Sequence, residues 1–127
     1  MASHISERFA TIVNDAQSRV EEITPTQLHE KMEREDDLAV IDVREPEEWN
    51  KARIVDAEFM SKGIIERDIE ETVPDTESEI VLYCSDGHRS ALAADNLMKM
   101  GYHNVKFLKG GFHAWTAAGL PIEKEGN

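Results

Sequence analysis

Ile80-Val81-Leu82-Tyr83-Cys84-Ser85-Asp86-Gly87-His88-Arg89-Ser90 carries the only cysteine of the chain out of an apolar run and into a polar one. Four consecutive apolar residues predict a strand buried on both faces, as strands of parallel sheets are. Ala91 to Met100 then supply the strong formers and small residues of a helix. Cys84 therefore stands where a strand gives way to a helix. N–H groups in such a turn, and in the first helical turn after it, lack intrahelical acceptors and present partial positive charge to an anion. A thiol placed there is expected to ionise below its ordinary value of about 8.5.

A lone cysteine behind an apolar strand reads on its own as a small, inert core residue. The residues that follow reverse that reading. Ser85, Asp86, Gly87, His88 and Arg89 are polar or flexible, which predicts an exposed loop. Gly87 can take a positive φ without steric cost. Arg89 gives the loop a permanent charge and a planar set of donors able to grip an oxyanion. Two neighbours act on Cys84 in opposite senses: His88 can pair with a thiolate, while the Asp86 carboxylate disfavours one.

Outward from this stretch, helical and extended patterns alternate, which predicts an α/β fold with a central parallel sheet and helices on both faces. Thr24-Pro25-Thr26-Gln27 is a helix start, with Thr at the N-cap, Pro at N1 and Gln at N3, and Leu28 and Met32 lie one turn apart behind it. Leu38 to Val43 reads as a second buried strand. Asp42 and Arg44 at its carboxyl end fall near the loop, because ligands of open α/β sheets sit beyond that end of the strands. Their expected part is an ion pair or loop clamp rather than direct chemistry. Glu45-Pro46-Glu47-Glu48 opens the next helix with acids that suit its dipole, and Trp49 is expected to pack beneath it. Val105 to Leu108 is the strand after the cysteine's helix, Gly110-Gly111 turns the chain, and Phe112 and Trp115 read as core anchors of a last helix ended by Gly119 and Pro121.

Ile41-Asp42-Val43-Arg44-Glu45-Pro46-Glu47-Glu48-Trp49, the cysteine loop, and Gly101-Tyr102 through Leu108-Lys109-Gly110-Gly111-Phe112-His113-Ala114-Trp115 with Ala118-Gly119-Leu120-Pro121 occur in the order and spacing of a known family. The chain resembles the single-domain rhodaneses, sulfurtransferases of the thiosulfate type, over roughly Glu22 to Glu123. This resemblance implies a rhodanese-like domain at 21–127; the first twenty residues lie outside it, and their hydrophobic spacing predicts an N-terminal amphipathic helix at 1–20. The resemblance also implies that Cys84 takes a sulfane sulfur from a donor such as thiosulfate, holds it as a persulfide, and passes it to cyanide or a thiol. Arg89 would then hold the anionic end of the donor, and the N–H groups of Ser85 through Ser90 would surround the persulfide. Phosphatases of related fold place five residues between cysteine and arginine; the four between Cys84 and Arg89 point to sulfur instead. The chain departs from the family pattern at Ala52-Arg53-Ile54, Val55-Asp56-Ala57 and Glu58-Phe59-Met60, a segment that in the family leads into the third strand and one wall of the active-site pocket.

At 127 residues and 40% hydrophobic, the chain is sized for one domain with a real core. A formal charge of −12 argues against nucleic acid and anionic membrane surfaces as partners. Acidic residues gather at Glu66 to Glu71 and Asp75 to Glu79, either as a solvated face or as a docking surface for a basic protein of a sulfur relay. With no 18-residue apolar span, no signal-peptide pattern and one reactive cysteine, a cytoplasmic location is expected. Five scattered histidines (His4, His29, His88, His103, His113) have no metal-ligand spacing, so neither metal nor cofactor is expected. Ile5, Phe9, Ile12, Val13, Ala16 and Val20 recur at helical spacing and form a stripe that must be covered, by the domain itself or by a second copy in a homodimer.

Overall fold

The computed structural model describes residues 5–125; His4 and the first residues of the 1–20 segment lie outside them. Strands β1 (Glu21–Ile23), β2 (Leu38–Asp42), β4 (Glu58–Phe59), β5 (Glu79–Tyr83) and β6 (Val105–Leu108) form one sheet in the order β1-β6-β5-β2-β4. Every pairing in it is parallel, with Ile41 opposite Leu82 and Leu82 opposite Phe107. A small antiparallel sheet joins β3 (Ala52–Ile54) to β7 (Ile122–Lys124). Parallel strands need long crossovers, which run through α2 (Pro25–Glu33), α3 (Pro46–Lys51), α4 (Ile65–Thr72) and α5 (His88–Lys99), while α1 (Glu7–Gln17) precedes β1 and α6 (Gly111–Ala117) leads from β6 to β7.

Alternate side chains along the central strands divide the core in two. Ile41, Val43, Ile80, Leu82, Cys84 and Phe107 face one layer, with Ile65 and Ile69 of α4 and Ala91, Ala94 and Leu97 of α5. Val40, Val81, Tyr83 and Leu108 face the other, with Leu28 of α2 and Trp115 of α6. Helices thus cover both faces, as the alternation predicts. Trp115 is fully buried and its indole N–H donates to the Pro121 carbonyl at 2.8 Å, which ties α6 to the chain leaving it. The capping box at α2 forms as expected: Gln27 N–H donates to Thr24 Oγ1 and Thr24 N–H to Gln27 Oε1.

The N-terminal stripe is covered by the domain. Val13, Ala16 and Val20 are buried, Ala16 and Val20 in the layer that includes α5, and the Arg19 guanidinium donates to both Asp95 carboxylate oxygens at 3.0 and 2.7 Å. Ile12 is the exception at 53% exposure, because α1 packs with one side only and Ile12 lies outside that contact. Trp49 is half-buried rather than beneath its helix: its ring meets Phe59 and carries the Arg53 guanidinium at 4.7 Å. Among the described residues no helix is long and apolar enough to cross a membrane.

Candidate active site

Tyr83 is the last residue of β5, and Cys84 follows it, fully buried, beyond the strand end. Residues 84–87 form a tight turn closed by Gly87, which is the N-cap of α5 at φ +100°, a conformation that favours glycine. The helix begins at His88, earlier than the expected Ala91, so Arg89 and Ser90 belong to its first turn. That early start aims its unpaired N–H groups at the sulfur. Gly87 N–H donates to Cys84 Sγ at 3.1 Å and Ser90 N–H at 3.3 Å, while Ser90 Oγ lies at 3.4 Å.

The loop is more enclosed than a run of polar residues suggests. Cys84 is fully buried, Gly87 and Ser90 are buried, and Ser85, Asp86, His88 and Arg89 are half-buried. Part of the enclosure comes from α6. Phe112 N–H donates to the Cys84 carbonyl at 2.7 Å and His113 N–H to the Ser85 carbonyl at 3.0 Å. Gly111 permits this approach: a Cβ there would meet the Ser85 carbonyl carbon at 2.6 Å and the Asp86 nitrogen at 2.7 Å, and its φ is +60°. Gly110-Gly111 is therefore a buttress for the loop as well as the turn expected of it.

Arg89 is held by neighbouring side chains. Its guanidinium donates to both Glu48 carboxylate oxygens at 3.3 and 3.4 Å and to Ser85 Oγ at 3.1 Å, while Ser85 Oγ donates to Glu48 Oε2 at 2.8 Å. Partial burial opposes ionisation of Glu48, but the Glu45 N–H, Arg89 and Ser85 outweigh it and hold its carboxyl at about 2. Burial likewise works against the Arg89 charge, and the Glu48 carboxylate more than offsets it, so its pKa rises. Sequence reasoning placed Glu48 only at a helix dipole. Its signal lay in topology, since α3 leaves the carboxyl end of the strand beside β5 and its first turn must border the loop.

His88 pairs with Asp86, Nδ1 to Oδ2 at 3.4 Å. Asp86 Oδ1 accepts the His88 N–H at 3.2 Å and lies 3.9 Å from Cys84 Sγ. The His88 ring also meets Phe9 of α1 edge-on, centroids 6.0 Å apart, so the N-terminal helix forms one border of the loop.

Asp42 and Arg44 make a buried pair. Arg44 Nε and Nη2 donate to the carboxylate at 3.0 and 2.7 Å, the Arg44 N–H adds 2.9 Å, and Nη2 reaches the Ala52 carbonyl at 2.6 Å. The guanidinium lies 4.4 Å from the Phe112 ring centroid, with Phe112 stacked on Tyr83. The pair therefore clamps α6 and β5 together beneath the loop, and none of its contacts involves Cys84. In the divergent 52–60 segment, Tyr83 Oη accepts the Ile54 N–H at 3.1 Å, and Met60 N–H donates to the Asp42 carbonyl at 3.0 Å. Among the described residues no group of three or more His, Cys, Asp or Glu side chains converges to hold a metal ion.

Comparison with known proteins agrees with this architecture. The rhodanese-like domain family matches residues 24–118. A sulfurtransferase of Allochromatium vinosum is 35% identical over 103 residues, covering 81% of this chain and 94% of that one. The "Probable adenylyltransferase/sulfurtransferase MoeZ" of Mycobacterium tuberculosis is 33% identical over 113 residues, covering 87% of this chain but 29% of that protein. Among solved structures, a Rhodopseudomonas palustris protein of unknown function, carrying the suggestion "Possible Tyrosine Phosphatase", superposes with a TM-score of 0.85 at 29% identity and covers 97% of this chain and 99% of its own. A buried strand, a cysteine turn, a helix with its N–H groups aimed at sulfur, and a family match over most of the chain all agree: this protein belongs to the rhodanese-like domain family.

Proposed function

We propose that the protein is a sulfurtransferase in which Cys84 accepts a sulfane sulfur and passes it on. One observation carries the reading: the chain's only cysteine ends in a cradle of two N–H groups that donate to Sγ at 3.1 and 3.3 Å, with Ser90 Oγ accepting from the thiol at 3.4 Å. Such dipoles, fixed before reaction, stabilise an anionic sulfur without reorganising. With thiosulfate as donor, the Cys84 thiolate attacks the outer sulfur, the S–S bond breaks with its electron pair on the leaving sulfite, and a Cys84 persulfide anion remains. Cyanide then attacks the terminal sulfur, thiocyanate leaves, and the thiolate is restored.

Full burial of Cys84 favours one second reading, a sulfur carrier that shields its persulfide and turns over slowly. Intact mass after incubation with thiosulfate, beside Cys84→Ser, followed by cyanide and a thiocyanate assay, separates the readings. A gain of one sulfur atom on the wild type alone, removed by cyanide with repeated turnover, supports transfer through Cys84. A gain without turnover supports the carrier, and no gain from thiosulfate or from a persulfide leaves a module that docks by its fold. The MoeZ likeness makes a protein of a sulfur relay a natural acceptor to try.

A further inference from the structure

Glu48 competes with an anionic donor for Arg89. The guanidinium that would bind the charged end of thiosulfate already faces both oxygens of one carboxylate, and the Ser85 hydroxyl it also touches donates to that same carboxylate. A second carboxylate, Asp86, stands 3.9 Å from Cys84 Sγ and is paired with His88. The mouth of the loop thus offers one arginine against two carboxylates and the sulfur, in a chain of net charge −12. A dianion entering this mouth must displace Glu48 from Arg89 or remain beside it unneutralised. A small thiol persulfide, R–S–SH, carries at most one negative charge, against two on thiosulfate, and has no sulfonate end for Arg89 to grip, so it needs no such displacement.

Resting on the reading of Cys84 as sulfur acceptor, we infer that Glu48 is a specificity-determining residue, acting through Arg89 to disfavour dianionic donors and select thiol persulfides of low charge. The step balances without a co-reactant. The Cys84 thiolate attacks the terminal sulfur of R–S–SH, the S–S bond breaks, and its electron pair leaves with R–S⁻ while the proton stays on the new Cys84–S–SH.

Glu48→Gln tests this, since the amide keeps the size and an acceptor for Ser85 and removes the charge. Donor kinetics are measured for wild type and variant with thiosulfate and with 2-mercaptoethanol persulfide, cyanide being the acceptor. Wild type is expected to favour the persulfide. In the variant, kcat/KM for thiosulfate rises about tenfold, mainly through KM, while the persulfide value stays within about twofold. Inhibition of persulfide turnover by sulfate, an inert dianion, provides a second readout and strengthens by a similar factor; a merely structural role for Glu48 moves neither ratio. Persulfide turnover and the thermal midpoint show that the variant is folded. A wild type that prefers thiosulfate, or a folded variant whose donor ratio is unchanged or shifted toward persulfide, overturns the assignment to Glu48. A wild type that takes sulfur from neither donor overturns the sulfurtransferase reading as well.

Discussion

Gly111→Ala is the most demanding single test of how the cysteine loop is held. An alanine at φ +60° costs about 1–2 kcal/mol for the left-handed backbone alone. Its Cβ would also fall 2.6 Å from the Ser85 carbonyl carbon and 2.7 Å from the Asp86 nitrogen, both backbone atoms of the loop. Relief requires α6 to back away, which breaks the Phe112 and His113 N–H bonds to the Cys84 and Ser85 carbonyls. At about 1 kcal/mol each these bring the total to roughly 3–4 kcal/mol. Gly119→Ala is the matched control: its φ is +72°, but nothing lies within 4 Å of its Cβ, so only the backbone cost of about 1–2 kcal/mol applies. Urea unfolding followed by the fluorescence of buried Trp115, together with sulfur uptake measured by mass, reads both effects. Gly111→Ala should lose about 2 kcal/mol more than the control, and uptake should be slowed well beyond it. Equal stabilities with equal uptake would refute the claim that this glycine is required by the approach of α6 to the loop.

Asp42→Asn leaves the Arg44 guanidinium buried without its charge partner, so a loss of about 3–5 kcal/mol is expected in the same unfolding experiment; a loss below 1 kcal/mol contradicts the clamp. Glu48 is held at about 2, below its ordinary 4.5, so its contribution to stability is fully present above pH 4.5 and is lost as pH falls toward 2. The stability gap between wild type and Glu48→Gln should therefore narrow from pH 6 to pH 3, and a gap independent of pH argues against the ion pair. A chain beginning at Glu21 gives up the burial of Val13, Ala16 and Val20 and should lose about 4 kcal/mol, with the mass in analytical ultracentrifugation still that of the same oligomer as the full chain. A mass that halves on truncation reassigns the helix to an interface between copies.

Which parts of this were legible beforehand follows from how far each depends on distant residues. The β5 strand, the Thr24 capping box and the Asp42-Arg44 pair rest on local pattern and on the rule that sites lie beyond strand ends, and all were readable. Glu48 was not, because a carboxylate in a first helical turn has a sufficient local explanation, and only the packing of α3 beside the loop gives it a second one. Gly111 was read as a turn residue, although a turn needs one glycine and the doubled Gly110-Gly111 signalled a close approach. Predicting an exposed loop failed for a similar reason: polarity reports what the side chains tolerate, whereas enclosure came from α6 and Phe9, both distant in sequence.

The bonds from Phe112 and His113 to the cysteine turn also have a meaning in time. A polypeptide emerges from the ribosome amino end first, and its domains fold as units. The cysteine is translated well before Phe112 and His113, and β1 must wait for its neighbour β6. Until α6 is synthesised and docked, the nascent chain carries a thiol without that cover. Oxidants and stray electrophiles thus have their best chance at this residue during biosynthesis, before α6 docks on the cysteine turn.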